Sequence, residues 1–194
     1  MRPRVSAAAF AAVASLAATG QPVCATNWRI DPQASAIEFH STQFGKPFSG
    51  EFKRFSGHIA FNPGPSPTGD VKIEIDVASL KTGSADRDAQ AQGDDWFATT
   101  KAPLATFTAD RFRQIDPAHY EAFGTLAIKG VQVQIVLAFT LSIKTDGTAE
   151  MHGTTVVDRL AFSLGTGSFA DPAMVARQVT LDISLNATPG SDRR

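Results

Sequence analysis

A single cysteine, Cys24, occurs in the chain, and it falls inside an N-terminal stretch that reads as an export signal. Once that stretch is removed, no disulfide framework, thiolate metal site or cysteine nucleophile can be assembled, even in an oxidising compartment. Catalytic signatures are equally sparse. The four histidines, His40, His58, His119 and His152, form no His-x-His or His-Glu-x-x-His pattern, and three of them (His40, His58 and His152) fall on outward faces of predicted strands. No Gly-x-Ser-x-Gly elbow occurs, and the glycine-rich "SLGTGSFAD" lies in a β context that does not cradle phosphate. The acidic group Asp86, Asp88, Asp94 and Asp95 fails as an EF-hand loop: Ala91 stands where the central glycine belongs and Phe97 where the closing glutamate belongs. An excess of one charge is missing too. With 18 basic and 19 acidic residues the formal net charge is −1, and loss of Arg2 and Arg4 with the leader makes the rest more acidic, which argues against nucleic acid. Nothing brings a nucleophile, a base and an orienting group together, so the sequence predicts a protein that is not an enzyme and has no metal or cofactor.

Residues 1–25 have the order of a secretory signal peptide: basic "MRPR", the apolar run "VSAAAFAAVASLAA", and "VCA" before a cleavage point expected after Ala25. A membrane anchor is the alternative, but the run is short and alanine-rich against the roughly 20 apolar residues a span needs. Acylation of Cys24 is a second alternative, disfavoured by Val23 where a small residue is wanted. Export to the periplasm follows, and residues 26–194 suffice for one domain with a full core.

What is abundant is alternation. In "VQVQIVLAFTLSI", Val131, Val133, Ile135, Leu137, Phe139, Leu141 and Ile143 share one face of a strand, opposite the milder Gln132, Gln134, Val136, Ala138, Thr140 and Ser142. The same period recurs at Ile37–Ser41, Val71–Val77, Ala105–Ala109, Tyr120–Ile128 and Val179–Leu185. In "FSGEFKRFSGHIAF" the apolar phase is even through Phe52 and odd from Phe55, predicting one long strand bent by a β-bulge at Lys53-Arg54. Lys129-Gly130 and Asp146-Gly147 read as hairpin turns, and "NPGPSPTGD" and Asp116-Pro117 as breaks. One segment departs: Ser84 as N-cap, Asp86 in the first turn and Gly93 as terminator predict a short helix.

About eight strands with one short helix form an all-β domain. A sheet greasy on one face must close or be covered, so an extended eight-stranded antiparallel barrel is expected, with a two-sheet sandwich as the alternative. Gly50, Gly57, Ala105, Ala122, Gly124 and Gly153 fall on the inward face. Either they leave volume for a guest, or the glycines mark bends and close approaches.

The ordered stretches "WRIDPQASAIEF", "GKPFSGEFKRFSGHIAFNP", "VKIEIDVASLKTGSADRDAQAQGDDWF", "KAPLATF", "GTLAIKGV" and "DRLAFSLGTG" resemble the YceI-like lipid/polyisoprenoid-binding family across Trp28 to Leu185. The resemblance implies a lipocalin-like barrel with an elongated apolar tunnel that holds an isoprenoid, such as a polyprenyl phosphate or a quinone tail. The "DWF" and "QFGKPF" variant is similar to members found beside or fused to b-type cytochromes, which names a membrane cytochrome as a candidate partner. Arg87-Asp88, Asp95-Trp96-Phe97, Gly124, Gly130, Arg159 and Phe162 match family motifs and are expected to be structural. "AFSLG" departs from the pattern, with Ser163 and Leu164 before Gly165.

Under this reading the tunnel is lined by Phe39, Phe52, Phe61, Ile73, Ile75, Phe107, Leu126, Ile135, Leu137, Phe139 and Ile183, and a head group meets Arg87, Lys101 or Arg159 at a mouth. Two rivals stay open. One is a filled, ligand-free barrel docking on the cytochrome; the other is an enzyme using the inward polar residues Ser41, Tyr120 and Thr155. The oligomeric state is open, with a dimer as one option.

Overall fold

Antiparallel strands joined by short turns pair most readily with their sequence neighbours, and here that rule runs the length of the chain until the last strand meets the first. The computed structural model describes residues 25–190; residues 1–24, with Cys24 and nearly all of the predicted leader, lie outside the described residues. Eleven strands form: β1 (Asn27–Ile30), β2 (Ala36–Gln43), β3 (Lys46–Phe52), β4 (Phe55–Asn62), β5 (Thr68–Asp76), β6 (Leu80–Lys81), β7 (Leu104–Gln114), β8 (His119–Ile128), β9 (Val131–Ile143), β10 (Ala149–Asp158) and β11 (Gln178–Pro189). The short helix α1 spans Ala85–Ala91. Sheet order is β1-β4-β5-β7-β8-β9-β10-β11-β2-β3-β6, with β1 also paired to β11.

Three pairs of these strands are halves of longer paths: β1 runs on into β2, β3 into β4, and β5 into β6. So joined, eight antiparallel paths pair only with their neighbours. The ring closes because β11 pairs with β2 along Thr180–Ser184 and with β1 along Ala187–Pro189. The barrel forms and the sandwich does not.

The three joined paths break at corners built from polar side chains. Where β3 gives way to β4, the Lys53 and Arg54 amides donate to the Ser79 carbonyl and hydroxyl at 3.3 and 3.0 Å. Ser79 lies in the 3-10 turn Val77–Ser79 that separates β5 from β6. Its hydroxyl donates to the Asp76 carbonyl at 2.6 Å, while the Asp76 carboxylate caps the Ala78 amide and accepts two bonds from Arg54. The phase slip that predicts a one-residue bulge is thus a corner shared by two neighbouring strands. Asn186 holds the β1–β2 break: its amide donates to Ser35 Oγ at 2.9 Å, and its side chain to the Ala34 carbonyl at 2.6 Å.

Local signals behave as read. Lys129 and Gly130 have φ of 52° and 78°, the left-handed pair that a two-residue hairpin requires, and they join Ile128 to its partner Val131. Ser84 caps α1 by accepting the Arg87 amide, with Asp86 and Asp88 in the first turn.

One open choice is resolved and one expectation needs correction. Of the two readings of the inward glycines, close approach is the one that holds: each is a seat for a larger neighbour. A Cβ on Gly124 would stand 2.4 Å from the Phe107 ring, one on Gly50 2.5 Å from Phe39, and one on Gly57 2.5 Å from Ile73. Ile143, last in its alternating series, is 47% exposed, because β8 ends opposite Thr140 and leaves Ile143 paired only with Ala149 of β10.

Replacing Gly124 with Ala forces a methyl against both Phe107 and the Thr108 carbonyl. Urea titration of Gly124→Ala is expected to show a loss of about 1–3 kcal/mol in unfolding free energy, the usual cost of overpacking. An unchanged midpoint would mean the Phe107 ring is free to leave its seat.

Candidate functional site

Alternation around a closed ring sends one apolar face from every strand to the centre, and the centre is not filled. Two chambers lie one behind the other. The first, of about 150 Å³, is walled by Phe61, Ile73, Ile75, Phe107, Leu126, Ile135, Leu137, Phe139 and Ile183, together with Trp28, Ala149, Met151, Leu185 and Ala187 among others. The second, of about 110 Å³, takes Phe39 and Phe52 with Phe48, Trp96, Phe97, Val157 and Phe162. Ile37, Ile75, Leu126 and Leu181 border both and form the waist between them. All eleven residues that the sequence assigns to a tunnel wall therefore face one chamber or the other. Voids near 150 Å³ lined by such side chains stay dry and admit a ring-sized apolar guest, so a longer chain must thread both chambers.

The first chamber has a wall of uneven side-chain size. Phe61, Phe112, Tyr120 and Phe139 pack as one aromatic block, with Phe61–Phe112 centroids 4.9 Å apart and Tyr120 stacked on Phe139 at 5.5 Å. Ala149 and its register partner Ala187 line the same chamber with small side chains that fill little of it. No polar atom is left over in this chamber: Thr155 donates to the Val136 carbonyl at 2.9 Å and the Trp28 indole to the Phe61 carbonyl at 3.0 Å.

The second chamber opens toward a vestibule of about 70 Å³ beneath α1, bordered by Gln43, Thr82, Arg87 and Gln90. Arg87 donates to the Thr82 hydroxyl and carbonyl and lies 5.1 Å from the Phe48 ring centre. Asp88 accepts from the Thr82 amide and hydroxyl at 2.8 and 2.7 Å and faces Lys81. Both residues of the Arg-Asp pair thus grip Thr82. Burial opposes the charge on Asp88, but the Thr82 bonds and Lys81 outweigh it and hold its carboxyl below the usual carboxylate range. Lys101 stands outside, exposed and paired with Asp94 at 2.7 Å. Asp95 accepts from the Thr166 hydroxyl, so the four acidic residues of this segment do not converge.

Arg159 is 2% exposed and spends all five donors on backbone carbonyls. Nε bonds Ala176, one terminal nitrogen bonds Leu164 and Gly165, and the other bonds Phe169 and Val175, at 2.6–3.1 Å. Burial pushes its pKa down, although nearby Asp158 opposes that shift. The loop that departs from the family pattern turns at Ser163, with φ of 55°, and so aims the Leu164 and Gly165 carbonyls at the guanidinium. Arg159 thereby pins the whole β10–β11 connection, from Leu164 to Ala176, onto its own first turn at the end of the second chamber. Of the polar residues weighed for catalysis, Ser41 borders the second chamber, Thr155 the first, and the Tyr120 hydroxyl bonds Gln114 and Pro117 at the barrel rim, so the three do not meet.

The sequence matches the YceI-like domain family over residues 28–187. A UPF0312 protein of Photorhabdus laumondii is 32% identical over 116 residues, which cover 58% of this chain and 60% of that protein. The crystal structure of Burkholderia cenocepacia BcnA superposes with a TM-score of 0.77 at 31% identity, over 82% of this chain and 99% of its own. A polyisoprenoid binding domain from Saccharophagus degradans shares the fold, with a TM-score of 0.68 at 17% identity over 86% of this chain and 99% of its own.

Lysine carries three donors, so Arg159→Lys leaves at least two buried carbonyls unpaired. Calorimetric and urea melts are expected to show a loss of several kcal/mol, on the order of 1–3 for each orphaned group. For Asp88, whose folded pKa is depressed, the stabilisation is full above about pH 4 and is lost as pH falls further. Hydrogen exchange at α1 should rise across that acid range in the wild type and be high at every pH in Asp88→Asn.

Proposed function

The chain belongs to the YceI-like family, and from that membership we propose that it binds and shelters an isoprenoid lipid, with the tail threaded through both chambers. The observation that carries this reading is an apolar void inside a closed barrel, with no unpaired polar atom in its larger part. The Saccharophagus degradans domain, described as polyisoprenoid binding, lends support at the level of fold.

The physics is that of burial. An isoprenoid exposed to water costs roughly 0.8 kcal/mol for each CH₂-sized group. Each five-carbon unit taken into the tunnel therefore contributes on the order of 3–4 kcal/mol before ordering costs are subtracted. The aliphatic and aromatic wall gives affinity without reading sequence or charge along the chain, and length selectivity comes from where the bore ends. Carriage of this kind asks for no catalysis, and we read the protein as a carrier acting in the periplasm after export. A quinone tail or a polyprenyl phosphate is the cargo class, and a membrane b-type cytochrome is a candidate recipient.

Mass spectrometry of a solvent extract of protein purified from its native host is expected to find an isoprenoid, and added polyprenol or quinone should raise the melting temperature. Absence of both would sink the reading. Ala149→Leu, which adds bulk to the wall of the first chamber, is expected to weaken binding of long chains more than short ones.

A further inference from the structure

The turn inside "QFGKPF" has no part in the tunnel wall, and its residues break a local rule. Gln43 pairs with Lys46, so Phe44 and Gly45 alone make the turn between β2 and β3. Both have positive φ, 50° and 72°. Two-residue hairpins need that left-handed pair, and Asn, Asp or Gly ordinarily supplies its first member. A bulky aromatic there is an outlier that strains the backbone. Phe44 is also the most exposed large apolar side chain among the described residues, at 64%. It therefore costs stability twice, in backbone conformation and in apolar surface left to water. The tip is nonetheless held firmly. The Phe44 amide donates to the Met174 carbonyl and the Ala176 amide to the Thr42 carbonyl, both at 2.9 Å, and Gln43 bridges to Val175. The two segments clamped here also expose Lys46, Pro47, Pro172 and Ala173. Gln43 and Val175 border the vestibule, so this corner stands where the second chamber opens.

Resting on the carrier reading above, in which cargo passes between a membrane and the tunnel, we propose that the Phe44 hairpin is a shallow, reversible membrane-docking wedge. Phe44 enters the interface of a lipid bilayer, Lys46 meets the lipid phosphates, and the vestibule is set against the surface. Area favours a bilayer over a protein partner. The exposed part of one such aromatic is on the order of 100–150 Å², whereas each side of a stable protein interface buries roughly 800 Å². The tip is also convex, with nothing within 4 Å of where a Cβ on Gly45 would stand, so it offers no broad surround to a folded partner. A bilayer interface takes in a lone aromatic without a matching pocket, and a neighbouring cation adds attraction to anionic headgroups. One aromatic and one lysine give docking that is weak and short-lived, which suits a carrier that must leave again.

The test is co-sedimentation of the whole protein with vesicles of phosphatidylethanolamine and phosphatidylglycerol at millimolar lipid, beside vesicles of phosphatidylcholine alone. Phe44→Asn places a favoured residue at the turn, so it should melt no lower than the wild type and yet bind both vesicles about tenfold more weakly. Lys46→Gln should lose about fivefold on the anionic vesicles only. Phe44→Trp should keep binding, and its added indole fluorescence should be quenched by lipids brominated near the headgroup end of their chains. Absence of vesicle binding by the wild type, or equal binding by Phe44→Asn, overturns the wedge. A lower melting temperature of Phe44→Asn would show that packing keeps the aromatic in place, and overturns it too. So does a concentration-dependent dimer that Phe44→Asn abolishes, which would make the tip a protein interface. Stabilisation by added polyprenol is read without vesicles: its absence in the wild type overturns the carrier reading, and its loss in Phe44→Asn alone would move Phe44 to the cargo site and overturn the wedge.

Discussion

Strand β11 pairs with β10 along one edge and with both β1 and β2 along the other, so no long strand of the ring keeps an open edge. That closure sets what the rest of the molecule must do. Each strand then has an inside, and alternation fills the inside with whatever occupies its odd or even positions. With no helix across the bore, only side chains or a guest can occupy the middle. The aromatic block of Phe61, Phe112, Tyr120 and Phe139 fills part of the first chamber's surroundings, and the alanines at 149 and 187 in its wall fill little. The void is therefore a consequence of closure combined with uneven side-chain size, and glycine contributes little to it.

The polar devices of the fold lie at the margins of that bore. Ser79 with Asp76 and Arg54, and Asn186 with Ser35, hold corners where the ladder is interrupted. Arg159 holds the β10–β11 connection at the end of the second chamber through carbonyls alone. Each solves the same problem: backbone groups that lose their strand partners near an apolar interior need another partner. Ser41 and Trp96 stand apart from this pattern, since the fold pairs every other buried side-chain donor among the described residues and leaves these two.

Much of this was legible in the residues. The odd positions of β9 through Leu141 face inward, the Lys129-Gly130 turn has the left-handed pair its composition demands, and Ser84 caps α1. The eleven expected wall residues face the chambers because period-two alternation reports side directly. What the pattern could not carry depends on distances across the barrel. The division into two chambers follows from the lengths of Ile37, Ile75, Leu126 and Leu181 meeting from four separate strands. The corner at Lys53-Arg54 looks in sequence like a bulge, since its partner Ser79 lies in another strand path. Arg159 reads as a mouth cation until the way the β10–β11 connection folds its carbonyls back onto it is known. The orphaned atoms of Ser41 and Trp96 have no sequence signature, because an unpaired hydroxyl and a paired one are spelled alike.

The interrupted paths all lie on one side. β7 through β11 are each one continuous strand, β7 with a register shift between Ala109 and Arg111, whereas the three paths made from β1 to β6 are each interrupted once. The side of the barrel whose paths are interrupted is also the side that carries the vestibule beneath α1, bordered by Phe39, Gln43, Phe48 and Leu80, so the tied corners and the second chamber's annex share one wall.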